Sequence, residues 1–238
     1  MKVGTSCVSK KINLFIIYLV ILKIYQREKM TVKNIVFDLG NVIIDLDIER
    51  TWMQLKHWLG DDYELALKNI RPDDDIFIQF EVGKISEEEF FEALRSATEG
   101  PLSIRQLKEA WNGMLLQIPP QRFEMLARLK EIYNVYLLSN TNKTHVDWVD
   151  GYLRTVYGFT IDDFDSRYFH KSYYSHLIYL RKPNENIYEY VLNDANLIAS
   201  ETLFIDDNAQ NIEGAKRVGL QTILHPIGDE IVETMKKF

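Results

Sequence analysis

Residues 34–45 of the chain read NIVFDLGNVIID, a short apolar run that ends in an aspartate and is followed by a second apolar run. An uninterrupted run of Val, Ile and Phe is typical of a strand that is buried on both faces. Asp38 stands at the carboxyl end of this predicted strand, and Gly40 allows a tight turn after it. A lone aspartate in this place more often caps a turn. A functional role for Asp38 therefore depends on whether other strands also end in polar residues.

The chain beyond this stretch alternates similar apolar runs with helical patterns. The runs predict strands at residues 34–38, 135–139, 202–206 and 221–224. This alternation predicts an α/β fold with a doubly wound, Rossmann-like parallel sheet. Three of the four runs end in Asp or Ser, and ligands of such sheets bind outside the carboxyl ends of the strands. We therefore expect these polar strand ends to share one crevice.

Residues 39–134 separate the first two predicted strands, which is far more chain than one crossover helix needs. Apolar residues recur at helical spacing through this insert. We therefore predict a small helical cap domain at residues 47–118 and a core formed by residues 30–46 and 119–238.

Five residues of the insert allow two interpretations. Trp52, Trp58 and Trp111 lie at helical spacing and are interpreted as the core of a helix bundle rather than as platforms for a substrate. Glu81 and Gly83 lie between two predicted helices, where a turn is a simpler interpretation than a group that faces the substrate.

The first residues of the chain differ from the rest. In residues 1–29, the apolar run 14–22 is flanked by lysines, and it is too short for the ~20 residues of a helix that spans a bilayer. The segment is interpreted as a non-native or processed extension ahead of Met30, as a short membrane anchor, or as an ordered packing element. Membrane association is otherwise not expected.

Composition limits the classes of partner. With 46% hydrophobic and 26% charged residues, the chain is expected to be globular. The net charge of −7 argues against binding to a nucleic-acid backbone and favours small molecules or proteins as partners. A single cysteine, Cys7, excludes an internal disulfide, which fits a reducing, cytoplasmic location. The oligomeric state is left open.

A second acidic strand end accompanies Asp38. Residues 203–215 read LFIDDNAQNIEGA and place Asp206 and Asp207 where a strand gives way to a helix. Carboxylates that face one crevice repel each other unless a cation lies between them, and hard divalent cations prefer oxygen ligands. We therefore expect Mg²⁺ at this edge of the sheet.

Three further residues suit an anion. Ser139 ends its strand with a hydroxyl, and together with Asn140 it offers main-chain N–H groups near the start of a helix. Lys182 precedes Pro183; a lysine in such a place is usually a solvated loop charge. Taken with the carboxylates, however, these groups match the needs of phosphoryl transfer, in which catalysis is mostly positioning and charge neutralisation.

Four motifs occur in a recognisable order: FDLGNVIID, LLSNTN, RKPNENIY and FIDDNAQNIEGA. Together they resemble the four motifs of the haloacid dehalogenase superfamily, and the helical insert resembles the cap that lies between its first and second motifs. The resemblance covers Val32 to Leu224. It is closest to the branch of bacterial α-glucose-1-phosphate phosphatases and the phosphatase domain of bifunctional epoxide hydrolases.

The resemblance implies that Asp38 attacks a phosphate monoester and forms an aspartyl-phosphate, which water then hydrolyses. The implied Mg²⁺ ligands are the carboxylates of Asp38 and Asp207, the main-chain carbonyl of Gly40, and Asp206 either directly or through a neighbouring group. The groups implied to hold the phosphoryl oxygens are Ser139, Asn140 and Lys182. Of these, Ser139 and Lys182 are counted with Asp38 as catalytic.

The sequence departs from the family pattern at Gly40. Most phosphatases of the superfamily carry there a second aspartate, a general acid and base whose loss typically costs ~10² to 10⁴ in rate. A substrate with a weakly basic leaving oxygen, such as the anomeric oxygen of a sugar 1-phosphate, would depend less on this acid. Alternatively, Asp45, Asp47 or His145 substitutes through a water, although a lone histidine is more often structural. In the third alternative, the protein binds its ligands and turns over slowly.

These inferences together predict a Mg²⁺-dependent phosphatase for a small phosphorylated metabolite, with a hexose 1-phosphate favoured. The alternatives are a metal-independent 2-haloacid dehalogenase, which also lacks the second aspartate, and a phosphate-binding regulatory module with little turnover. The Asp206 and Asp207 pair argues against the dehalogenase, which needs no metal. The substrate itself cannot be read from the sequence.

Overall fold

The computed structural model describes residues 32–60, 75–97 and 102–238, and these contain a five-stranded sheet. The strands are β1 (Asn34–Phe37), β2 (Asn134–Ser139), β3 (Lys171–Tyr174), β4 (Thr202–Asp206) and β5 (Gln221–Leu224). All neighbouring strands are parallel, and their order across the sheet is β3, β2, β1, β4, β5. The predicted α/β fold with a doubly wound parallel sheet is confirmed.

The described helices form two groups. Four of them lie between β1 and the helix that leads into β2, and we call them the cap helices: α1 (Ile48–Leu59), α2 (Asp75–Glu81), α3 (Glu87–Ala97) and α4 (Ile104–Asn112). The remaining helices are α5 (Pro120–Ile132), α6 (Lys143–Tyr157), α7 (Ile161–Tyr168), α8 (Ser175–Ile178), α9 (Glu185–Asp194), α10 (Ala209–Arg217) and α11 (Ile231–Met235). A short 3₁₀ helix, Ala199–Glu201, precedes β4.

Strand β3 is a fifth strand beside the four predicted ones, and the apolar pattern of the sequence does not reveal it. Its sequence is KSYY, and its first residue is exposed at the edge of the sheet beside β2. Two polar residues in a run of four remove the apolar signal that marks a buried strand. The other strand bounds differ from prediction by one residue at most, since β1 ends at Phe37 and β2 begins at Asn134.

The strand order places a topological switch point in the middle of the sheet. From β1, the chain moves outward through β2 to β3 on one side and through β4 to β5 on the other. Phe37 is in register with Ile205, and the Asp38 main-chain N–H donates to the Ile205 carbonyl (2.9 Å). Asp38 and Asp206 therefore leave adjacent strands side by side, where α/β sheets bind their ligands.

Alternate residues of β1 face opposite sides of the sheet. Ile35 and Phe37 belong to a hydrophobic cluster that includes Leu126 of α5 and Val149 of α6. Val36 belongs to a second cluster, which contains residues of α9 and α10. Both faces of the strand are thus covered, which explains why its sequence is apolar without alternation.

The cap helices have a hydrophobic cluster of their own, rich in aromatic side chains. Phe80 stacks on Phe90 with ring centroids 4.2 Å apart, and Phe91 meets Phe90 edge to face. The chain enters and leaves these helices through neighbouring segments, because Leu46 pairs with Leu115. The cap helices thus pack around a separate core beside the sheet.

The predicted N-terminal extension, residues 1–29, lies outside the described residues. Within the ranges that the structure does describe, no helix combines the length and the apolar character needed to cross a bilayer.

A close contact between α10 and the loop before α9 fixes that loop. A Cβ added at Gly214 would lie 2.3 Å from the Pro183 carbonyl oxygen and 3.0 Å from the Tyr188 ring. Only a residue without a side chain permits this approach. Because Pro183 follows Lys182 directly, the glycine helps to set the position of Lys182.

We expect Gly214→Ala to lower the free energy of unfolding by about 1–3 kcal/mol, the usual effect of overpacking. Gly151→Ala in α6 is the matched control, since nothing lies within 4 Å of its added Cβ. There, alanine should raise stability by roughly 0.5–1 kcal/mol through its higher helix propensity. Urea denaturation of both variants measures this difference, and effects of the same sign would contradict the assigned contact.

Candidate active site

Three carboxylates meet where β1 and β4 end. Side-chain oxygens of Asp38, Asp206 and Asp207 all lie within 4.8 Å of one another. Asp38 and Asp206 are buried, and Asp207 is half-buried. The two acidic segments predicted from the sequence, remote from each other along the chain, therefore converge on one point.

Lys182 lies between two of these carboxylates, fully buried. Its Nζ donates to Asp38 Oδ1 (2.7 Å), Asp206 Oδ2 (2.7 Å) and the Leu138 carbonyl (2.9 Å), so its three N–H groups have protein partners. Its main chain is held as well, because the Asn140 side chain donates to the Lys182 carbonyl and accepts from its N–H, both at 2.9 Å. The lysine is thus no solvated loop charge, and its ammonium contacts the predicted nucleophile.

Asp206 has most of its hydrogen-bonding capacity in use. Its Oδ1 accepts from the Asn208 main-chain N–H (2.8 Å), and both oxygens accept from the Asn211 amide (3.0 Å each). With Lys182 on Oδ2, Asp206 is positioned chiefly to orient the lysine. Of the two ligand roles that the resemblance leaves open for it, the indirect one fits these contacts better.

Asn41 orients the carboxylate of Asp207, although the sequence pattern does not mark Asn41 as a site residue. Its side-chain amide donates to Asp207 Oδ2 (2.8 Å), and its backbone has a positive φ of 52°. Asn adopts this left-handed conformation more readily than most residues, so an Asn directly after Gly40 is a usable signal. Asn211 is missed likewise, although it sits in the last of the four motifs.

Burial and like charge dominate the electrostatics. Burial raises the pKa of Asp38, Lys182 opposes the rise and Asp206 adds to it. Burial also raises the pKa of Asp207, against the hydrogen bond from Asn41. Burial alone would lower the pKa of Lys182, but the carboxylates of Asp38 and Asp206 outweigh it and raise this pKa. The pKa of Asp38 thus rises chiefly through burial and that of Lys182 through its two carboxylate partners. With three carboxylates and one ammonium, the site has an excess of negative charge.

The donor set fits a Mg²⁺ ion. Asp38 and Asp207 offer hard oxygen ligands within the span of one coordination shell, and together with Asp206 they carry more negative charge than the single positive charge of Lys182 offsets. Gly40, whose carbonyl is a predicted ligand, lines the cavity that opens beside them. The chemistry of these groups is thus compatible with the predicted metal.

A cavity of about 330 Å³ lies between the carboxyl ends of the strands and the cap helices. The predicted phosphate-binding residues Ser139 and Asn140 line it from the sheet side. From the cap side it is lined by Trp52, Phe77, Glu81 and Trp111. The expectation for Trp52 and Trp111 is therefore incomplete, since both pack against the cap cluster and also border the cavity. Trp58 packs against the cap cluster as predicted.

Two of the residues considered as replacements for the acid missing at Gly40, Asp45 and Asp47, lie away from the cavity. A Cβ on Gly40 would lie 2.7 Å from Leu46 Cδ1, so the leucine fills the space of the missing side chain. Asp45 pairs with the buried Arg122 (2.8 Å), and Asp47 precedes the first turn of α1. Neither borders the cavity described above.

His145 borders the cavity, but its ring is fully engaged. Nε2 lies 3.2 Å from the Trp111 carbonyl, which can only accept, so Nε2 carries the proton and donates. Nδ1 then accepts from the Asn142 amide at 3.3 Å, and the ring stacks on Trp111. Burial lowers the pKa of His145 to about 4, so the ring is neutral at pH 7. The histidine joins α6 to the cap and has the structural role that the sequence favours.

The chain is similar in sequence to known hydrolases and phosphatases. A model of the haloacid dehalogenase-like hydrolases matches residues 32–219. The chain is 34% identical over 195 residues to D-ribitol-5-phosphate phosphatase from Bacteroides thetaiotaomicron, covering 80% of this chain and 90% of that protein. It is 29% identical over 193 residues to the sesquiterpene phosphatase astK of Aspergillus oryzae, covering 80% of this chain and 88% of that protein.

A solved structure shares the fold closely. It is a HAD family enzyme from Bacteroides thetaiotaomicron, crystallised as the wild-type protein with magnesium and inorganic phosphate. The two chains are 35% identical, superpose with a TM-score of 0.73, and align over 84% of this chain and 96% of that one. A relative of the same fold thus binds the ion and the anion that the residues described here suit.

Removing the buried ammonium of Lys182 should leave the carboxylates around it without a positive partner and so destabilise the protein. Without Mg²⁺, we expect Lys182→Met to lower the free energy of unfolding by about 3–5 kcal/mol, since two buried carboxylates lose their partner. Added Mg²⁺ should recover part of this loss. Lys216→Met, at an exposed pair with Glu213, should change stability by no more than ~0.5 kcal/mol. Urea unfolding in EDTA and in Mg²⁺ measures both, and a loss at Lys182 that Mg²⁺ leaves unchanged would contradict the metal assignment.

Proposed function

The chain belongs to the haloacid dehalogenase-like hydrolases, and we propose that it is a Mg²⁺-dependent phosphatase acting through an aspartyl-phosphate on Asp38. The observation that carries the proposal is the convergence of Asp38, Asp206 and Asp207 within 4.8 Å of one another, with Lys182 bridging two of them. A metal-independent dehalogenase would have no use for this excess of carboxylates.

The reaction has two displacements at phosphorus. An oxygen of Asp38 attacks the phosphate monoester, and the bond from phosphorus to the alcohol oxygen breaks. Water then attacks phosphorus from the side that the alcohol has left, and the bond to Asp38 breaks. Asp38, Asp207 and the Gly40 carbonyl would hold Mg²⁺, which would supply the positive charge that keeps the nucleophile ionised and offsets the charge of the substrate.

The protein's own groups position this chemistry. The hydrogen bond from Lys182 holds Asp38 by one oxygen and leaves the other for the attack. Ser139 and the main-chain N–H of Asn140 are proposed to receive the phosphoryl oxygens, because both residues line the cavity together with Leu39 and Gly40, which follow Asp38 in the chain. The Asn140 side chain is occupied by the Lys182 main chain, so only its backbone is assigned to the phosphate.

The substrate proposed is a small sugar or polyol phosphate. At about 330 Å³, the cavity lies near the lower end of the usual range of ligand sites, about 300–1,000 Å³. This size favours a polyol such as the substrate of the ribitol-5-phosphate phosphatase over a bulky terpenoid. Hexose 1-phosphates remain candidates within this class.

The chain is proposed to divide into a core at residues 30–46 and 119–238, which carries the nucleophile and the metal-binding carboxylates, and a cap at residues 47–118. The separate hydrophobic cluster of the cap helices supports this division. Because Trp52, Phe77 and Trp111 of the cap line the cavity, we assign selection of the alcohol to the cap.

Asp38→Asn should reduce Mg²⁺-dependent hydrolysis of p-nitrophenyl phosphate by roughly 10³-fold or more, since an amide cannot act as the nucleophile. The amide has nearly the same shape as the carboxylate and should preserve the fold, which circular dichroism checks. EDTA should abolish hydrolysis by the wild-type protein, and added Mg²⁺ should restore it. Activity that survives in EDTA would refute the metal-dependent mechanism.

A panel of phosphorylated compounds tests the substrate class. With Mg²⁺ present, we expect kcat/KM for five- and six-carbon polyol and sugar phosphates to exceed that for farnesyl phosphate by at least about tenfold, because the cavity is small. Phosphate release measured at equal substrate concentrations gives the ranking. A preference for the farnesyl ester would overturn the assignment of the class while leaving the phosphatase activity intact.

A further inference from the structure

The second displacement requires a group that the usual position does not supply. Water attacks phosphorus in line with the bond to Asp38, so it stands on the cavity side, where the alcohol was. Its proton needs an acceptor there. Position 40 is a glycine, and Leu46 fills the space where a side chain from that position would lie.

Two titratable side chains border this cavity within the described residues, Glu81 and His145. His145 is unsuited to accept a proton, because both ring nitrogens are engaged and burial lowers its pKa to about 4. Glu81, the last residue of α2, is therefore the group to consider.

Glu81 is anchored next to the phosphate-binding segments at two points. Its carbonyl accepts a hydrogen bond from the Ser175 hydroxyl (2.6 Å), and the Ser175 oxygen in turn accepts from the Thr141 N–H (2.9 Å). Its carboxylate Oε2 pairs with Nη2 (2.9 Å) and Nε (3.1 Å) of Arg181. Thr141 directly follows the proposed phosphate ligands Ser139 and Asn140, and Arg181 directly precedes Lys182.

The cap backbone beside Glu81 is held tightly to the core. A Cβ on Gly83, which has a positive φ of 66°, would lie 2.2 Å from the His176 carbonyl oxygen. Only a residue without a Cβ permits this approach. The end of α2 therefore sits at a defined position relative to the strand ends, as a proton acceptor requires.

We propose that Glu81 is the general base for hydrolysis of the aspartyl-phosphate. This inference rests on the proposed function. The oxygen of water forms a bond to phosphorus as the bond from phosphorus to Asp38 breaks, and the water proton passes to the Glu81 carboxylate. The products are phosphate, an ionised Asp38 and a protonated Glu81, which returns its proton to solvent.

The contacts of Glu81 suit this role in two ways. Arg181 uses Oε2 and thereby offsets the negative charge that faces a phosphorylated intermediate, while Oε1 remains to accept the proton. An ionised carboxylate has no proton to give, so departure of the alcohol is unassisted by Glu81. The enzyme would then favour alcohols that leave readily, such as the anomeric oxygen of a sugar 1-phosphate.

Rapid mixing with p-nitrophenyl phosphate and Mg²⁺ tests the assignment, because nitrophenol leaves without an acid. We expect Glu81→Gln to release about one nitrophenol per active site in a fast burst and then turn over about 10²-fold or more slower than wild type. The accumulated aspartyl-phosphate should be trapped by hydroxylamine. In Glu81→Ala, added formate should accelerate the slow phase and leave the burst unchanged.

Ser175→Ala is the matched control, since the Ser175 oxygen also accepts from the Thr141 N–H, next to the proposed phosphate ligands. Its loss should disturb phosphate binding in both steps, while Arg181 still holds the Glu81 carboxylate. The variant should lower the burst rate and the steady-state rate together. If Glu81→Gln behaves like Ser175→Ala, or turns over like the wild type, Glu81 is not the base. A wild-type protein that shows no Mg²⁺-dependent turnover would instead refute the proposed function, and this inference would fall with it.

Discussion

The buried ammonium of Lys182 is the interaction around which the site is organised. It joins the end of β1 through Asp38, the end of β4 through Asp206, and β2 through the Leu138 carbonyl. A buried charge is tolerated only where protein groups replace its water, so the three strand ends and the lysine depend on one another. Two buried carboxylates and the nearby Asp207 nevertheless outnumber the single ammonium. That imbalance makes the site one that attracts a divalent cation.

The fold supports this interaction at several levels. The switch point of the sheet places Asp38 beside Asp206, and Asn140 clamps the main chain of Lys182 from both sides. Gly214 allows helix α10 to approach the Pro183 carbonyl. Each contact restricts a different part of the same loop. The Lys182 ammonium is therefore already in position when the reaction occurs.

The cap helices relate to this core in a different manner. Their aromatic cluster is separate from the clusters on the sheet, so the cap can be shaped without altering the carboxylates. Polar contacts instead hold its cavity-facing side to the core, through Glu81 on Ser175 and Arg181 and through His145 on Trp111. Such an arrangement lets the apolar side chains of the cap select the alcohol, while Glu81 is held beside the phosphate-binding segments.

The amino-acid sequence alone yields four of the five strands and the residues at their ends, because uninterrupted apolar runs and strand-end acids are local signals. It misses β3, whose four residues are half polar, and it cannot assign Asn41 to Asp207 or Glu81 to Arg181. Those contacts join residues 166 and 100 positions apart, and long-range hydrogen bonds leave no periodic trace in a sequence. Which polar side chains face the cavity was therefore settled only when the sheet brought distant segments together.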